Sequence, residues 1–133
     1  MEYEYVQVKK RSEDAYEPYE GDPGIQLYSS ATMILHPFVP TMVPTGITMT
    51  FPEGLYGRFA TGEDLAFRGV KVMSDLVQMY YPRTADIGVV LMFMISDPTA
   101  TVTIAKGDRI AQLIVQPYCA NLKLEKPNWY TEF

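Results

Sequence analysis

Residues able to do chemistry are few and scattered in this chain. His36 is the only histidine and stands in "LHPF". No Ser or Cys pairs with it by spacing, so it reads as structural. Cys119 is the only cysteine, so no disulfide framework or cysteine metal site is expected. The patterns H-x-x-H, C-x-x-C and G-x-S-x-G do not occur. Asp22, Asp75, Asp86 and Asp97 stand near turns, a usual place for aspartate. One stretch is more particular: "GDRIAQLIVQP", residues 107–117. Gly107, an acid and Arg109 precede a nearly apolar run with one amide, Gln112, in its middle. A strand made to be buried has no need of that amide.

The elements that would position these residues follow from composition and punctuation. A chain of 133 residues, 47% hydrophobic, is one domain of ordinary size with a real core. Its net charge of −5 argues against a general nucleic-acid or membrane-surface binder, because phosphate affinity rests on clustered Lys and Arg. The lone cysteine suits a reducing compartment. The N-terminal stretch has no apolar signal-peptide core, and no apolar run reaches membrane-spanning length. An intracellular place, cytoplasm or nucleus, is therefore expected, with no direct membrane insertion.

Residues 1–21 form an acidic N-terminal segment, and 11–23, "RSEDAYEPYEGDP", read as an exposed connector. Beyond it come short apolar runs bounded by turn residues: "GIQLYSS", "TMILHPFVP", "TGITMTF", "GLYGRFA", "GVKVM", "LVQMYY", "DIGVVLMFMI", "TATVTIA", "RIAQLIVQPY" and "NLKLEK". Their lengths and spacing predict an all-β sandwich or barrel. "TATVTIA" and "NLKLE" alternate with period two, as half-buried strands do. "IGVVLMFMI" suits a central strand. Ten prolines oppose long helices, and the best helix candidate, "GEDLAF", is one turn. Gly54, after Pro52, and Gly107 are placed to turn the chain between strands.

In this order the segments "DPGIQLYSS", "VPTGITMTFPEGLYGRFA", "LAFRGVKV", "IGVVLM" and "TIAKGDRIAQLI" resemble the trimeric dUTPase family over roughly residues 22–117. The resemblance implies a β-jelly-roll subunit, a homotrimer, and nucleotide sites shared between subunits. It also implies hydrolysis of dUTP to dUMP and pyrophosphate with Mg²⁺, using five motifs.

Carried over motif by motif, the match is uneven. The first motif has an Asp where this chain has Gln26, a poorer Mg²⁺ ligand. The second has a basic residue and hydroxyls where this chain has Gly62, Glu63 and Asp64. Two negative charges there would oppose a triphosphate, each close contact by roughly 1–4 kcal/mol. The third supplies the Asp that activates water and a Tyr that packs under the sugar. Counted forward from "LAFRGV", those positions are Gln78 and Tyr81; counted back from "DIGVVL", the Asp position is Tyr80. Neither register gives a carboxylate. The fourth motif is intact as Gly107, Arg109 and Gln112. The fifth, a Gly-rich arm, has no counterpart in the 118–133 tail.

One intact motif of five leads to the expectation of a catalytically silent, dUTPase-like protein kept for protein interaction. In kind it resembles the dUTPase-derived early proteins of adenoviruses, which would place it in a host cell. The ending "YTEF" then reads as a PDZ ligand, with Thr131 and Phe133 as the contacts and a PDZ-domain host protein as partner. On this expectation there are no catalytic residues, no metal and no cofactor. Gln112 would hydrogen-bond within the fold. The competing expectation is the family's own reaction, dUTP diphosphatase, with Mg²⁺ as its cofactor, or a nucleotide-binding relic with weak activity.

Overall fold

The computed structural model describes residues 6–21, 24–74, 76–77, 84–119 and 121–127. The elements are β1 (Gln7–Lys10), β2 (Tyr19–Glu20), β3 (Ile25–Tyr28), β4 (Met33–Leu35), β5 (Thr41–Thr50), β6 (Leu55–Ala60), α1 (Glu63–Phe67), β7 (Val70–Val72), β8 (Leu76–Val77), β9 (Ala85–Phe93), β10 (Val102–Ile104) and β11 (Arg109–Pro117). They form a four-stranded sheet in the order β1-β5-β9-β7, a five-stranded sheet in the order β2-β3-β11-β6-β8, and the pair β10-β4. The strand ladders are antiparallel. The all-β expectation holds, and α1 is the single short turn of helix foreseen in "GEDLAF".

Hydrophobic alternation builds the core. In β9, Ile87, Val89, Leu91 and Phe93 are buried while the residues between them are half-buried. This is the period of two that turns every second side chain inward. Leu27 of β3, Val43 and Met49 of β5, Phe59 of β6, Ile104 of β10 and Leu113 of β11 join them in one cluster with Phe51. Burying each large side chain is worth about 1.5–3 kcal/mol. Thr45 is buried too, and its hydroxyl donates to the Ile87 carbonyl at 2.6 Å. The core thus tolerates this polar atom because it is bonded.

Turn chemistry matches the sequence where it was read. Gly54 and Gly107 have φ of +87° and +92°. The Leu55 N–H reaches the Pro52 carbonyl, and the Asp108 N–H reaches the Ala105 carbonyl.

Three element expectations fail. The N-terminal segment contributes β1 and β2, although every residue of both is exposed. Edge strands that bury little carry no hydrophobic pattern to read. β5 starts at Thr41 and runs through Pro44, so it takes in residues 41–44 that lie between the runs "TMILHPFVP" and "TGITMTF". The ladder to β9 shifts register between Pro44 and Thr48, and β1 pairs only with residues 47–50. The missing N–H of Pro44 therefore costs no bond to β1. "NLKLEK" forms no strand: residues 121–126 are exposed, with Leu122 and Leu124 at 75% and 77%. Alternation alone makes no strand without a neighbour to pair with.

Candidate functional site

The fourth-motif residues sit on β11, which lies between β3 and β6. Ile110 and Ala111 are both buried, so the strand cannot alternate simply there. The pairing with β3 shifts between Arg109 and Ala111. This bulge restores the alternation and leaves Gln112 on the face away from the core. Gln112 is half-buried, opposite Gln26 on one side and Ala60 on the other. So the amide in the apolar run lies in the outward row of its strand, with Ile114 and Gln116.

Gly24 lets β3 and β11 come close at this row. A Cβ there would stand 2.7 Å from the Leu113 carbonyl oxygen and 3.0 Å from Gln112 Cγ. Backbone cannot yield as a side chain can, so glycine is the residue that fits.

The second-motif positions arrive from β6. Two residues past Ala60, Gly62 begins the turn into α1. The Arg109 guanidinium crosses to this turn. Its Nε is 3.6 Å from where a Gly62 Cβ would lie, and its amino group is 3.5 Å from the Asp64 carboxylate. Glu63 and Asp64 are exposed. The structure thus brings together Gln26, Gly62, Asp64, Arg109 and Gln112, which are far apart in sequence. Gln78, Tyr80 and Tyr81 lie outside the described residues, as do Thr131 and Phe133.

The electrostatics are milder than the sequence suggests. Asp64 is 85% exposed and faces Arg109, so its charge is both screened by water and partly offset. The 4 Å repulsion between an incoming phosphate and such an exposed carboxylate falls toward about 1 kcal/mol. Arg58 adds a cation that sequence reasoning missed. It lies on the same outward face, two residues from Ala60, and its Nε donates to Gln116 Oε1 at 3.4 Å. The alternation of "YGRFA" was the available signal, since Tyr56, Arg58 and Ala60 share one face of β6.

The Gln112 amide was expected to bond within the fold. Among the described residues it has no side-chain hydrogen bond, while Gln116 takes donors from Tyr56 and Arg58. A half-buried amide at a cleft can be satisfied by water, so no penalty forces a protein partner.

As to metal, no group of three or more His, Cys, Asp and Glu gathers among the described residues. Gln26 and Gln112 are neutral amides. The described residues therefore do not make a protein cage for Mg²⁺.

The fold and this row define the class: an antiparallel β domain whose outward polar row is made from first-, second- and fourth-motif positions. The chain belongs to the dUTPase family, whose profile matches residues 11–131. A protein of Mycolicibacterium vanbaalenii named deoxyuridine 5'-triphosphate nucleotidohydrolase is 36% identical over 103 residues, 74% of this chain and 63% of that one. Relatives of the same name come from Candida glabrata, 33% identical over 84% of this chain and 76% of that one, and from cowpox virus, 30% identical over 84% and 73%. The chain thus spans under two thirds of the mycobacterial relative's length. Among solved structures, a dUTPase of Staphylococcus bacteriophage 80alpha superposes with a TM-score of 0.81 over 92% of each chain at 20% identity. That likeness is one of fold.

These relatives overturn the expectation of a non-catalytic interaction protein. Proteins 30–36% identical to most of this chain carry the name of a dUTP hydrolase. The acidic turn also opposes an incoming phosphate less than its sequence suggests, because Arg109 partly offsets it. No helix among the described residues is long and apolar enough to cross a membrane.

Proposed function

We propose that this protein is a dUTP diphosphatase. It adds water across the anhydride between the α- and β-phosphates of dUTP. The water oxygen bonds to one phosphorus, the P–O bond there breaks, and the bridging oxygen leaves with the other phosphate, giving dUMP, pyrophosphate and a released proton. The observation that carries this is the likeness to dUTP nucleotidohydrolases over up to 84% of the chain. The intact Gly107, Arg109 and Gln112 support it.

In this proposal Arg109 and Gln112 face the phosphates from β11. Arg109 is the group suited to hold phosphate oxygens by charge-assisted bonds. Gln26 and the turn at Gly62 border the same space. Asp64 holds Arg109 until phosphate displaces it. Assembly as a homotrimer, with sites shared between copies, is part of the proposal and follows from the family resemblance.

Pyrophosphate release from dUTP in the presence of Mg²⁺ tests it. Enzyme-like turnover is expected. Arg109→Ala is expected to lower kcat/KM by about tenfold or more. A folded sample that releases pyrophosphate no faster than buffer would end the proposal.

A further inference from the structure

A second cleft lies beside the N-terminal segment and has a chemistry of its own. Three tyrosines, Tyr16, Tyr19 and Tyr28, line it together with Glu17, Glu20 and Gly107. Its volume is about 590 Å³, within the range of small-molecule sites. No lysine or arginine is among its lining residues. Three cations stand close by: Lys106 bonds to Asp14, Arg109, across the ladder from Tyr28, reaches Asp64, and Lys10 lines the adjoining cleft with Tyr16, Glu17 and Glu20.

The fold places the three tyrosines around this space. Tyr16 lies against Gly107, where a Cβ would come within 3.1 Å of the phenol carbon and hydroxyl oxygen. Positive φ favours glycine there, and the close approach leaves little room for a side chain. The Lys106–Asp14 pair, one residue from Gly107 and two from Tyr16, ties the two segments together. Tyr19 stands across from Gln26, and Tyr28 is two residues further along the same strand face. Diagonal neighbours of this kind are about 7–8 Å apart, within reach of aromatic side chains. Aromatic faces present negative potential, and the carboxylates add full charge.

We propose that this cleft binds an organic ammonium ion: the rings take the alkylated cation and Glu17 and Glu20 balance its charge. The same head group could come from a free polyamine or from a lysine side chain of a partner. The cleft adjoins the proposed phosphate row, since Tyr28 stands opposite Arg109 and Tyr19 opposite Gln26, but the inference does not rest on dUTP hydrolysis.

The test is a titration of the full chain followed by amide and tyrosine-ring NMR shifts at constant ionic strength. The probes are choline, its neutral carbon isostere dimethylbutanol, spermidine, and a blocked lysine. Choline is expected to shift Gly107, Gly21 and the tyrosine rings, and the isostere to shift them far less. Tyr19→Ala is expected to weaken choline by about fivefold or more, while Tyr19→Phe keeps it. Glu17→Gln should weaken it too. Tyr19 is 64% exposed, so folding is not at risk. Tighter spermidine points to a free polyamine, and tighter blocked lysine to a partner chain. Absent shifts, equal binding of the isostere, or an unaffected Tyr19→Ala variant would each overturn the proposal.

Discussion

Gln112 and Arg109 show how one residue's meaning depends on its neighbours across the sheet. In sequence Gln112 interrupts an apolar run. In the fold it belongs to an outward row with Gln26 and Ala60, and Gly24 makes room beside it. Gly24→Ala should therefore cost about 1–3 kcal/mol, since the added methyl meets backbone. Thermal unfolding measures this, and an unchanged Tm would contradict the close approach. The Asp14–Lys106 pair makes a second prediction. The hydrogen bond from Lys106, and then its charge, hold the Asp14 carboxyl below its ordinary value. The bond to Asp14 raises Lys106 in turn. Asp14's contribution is present above its unfolded pKa and is lost as pH falls through the lower folded one. Lys106's contribution is present below its unfolded pKa and is lost as pH rises through the higher folded one. The tether is thus intact across the neutral range. Lys106→Met should move the Asp14 titration back up, read by carboxyl carbon shifts. No movement would show that Lys106 is not the cause.

At the scale of elements, β11 is the centre of the five-stranded sheet, and its burial is uneven along its length. Leu113 is fully buried against the core. Leu113→Ala should destabilise by about 2–5 kcal/mol, seen as a lower denaturation midpoint. Leu124→Ala removes the same atoms from a side chain 77% exposed. Within a single chain it should change stability by less than about 0.5 kcal/mol. Equal losses from the two substitutions would mean that the tail is buried in solution. β11, β9 and α1 were legible because their patterns report burial. β1 and β2 were not, since an exposed edge strand is fixed by its partner's free backbone groups, not by its own side chains.

At the scale of the whole molecule, the proposed function ties activity to assembly. A homotrimer predicts a light-scattering mass three times that of the chain. A single-chain mass at working concentration would remove the shared-site part of the proposal, while dUTP turnover would remain a separate question. The net charge of −5 makes the two cations of the polar face, Arg58 and Arg109, matter more. They provide positive potential where an anionic substrate would approach. High salt should therefore raise the KM for dUTP, as screened charges attract less.

The sequence by itself determined the all-β class, the turns at Gly54 and Gly107, the single helical turn, and the family resemblance. Local spacing carries all of these, because strand alternation and positive φ are properties of neighbouring residues. The tertiary structure decided which distant residues meet. It set Gln112 opposite Gln26, brought Arg109 over Gly62 and Asp64, and set the tip of the Tyr16 ring against Gly107. These depend on strand order, on one bulge and on register, which no local pattern encodes. The acidic turn reads as repulsion along the chain. In space it is half of an ion pair, because a residue 45 positions away reaches it.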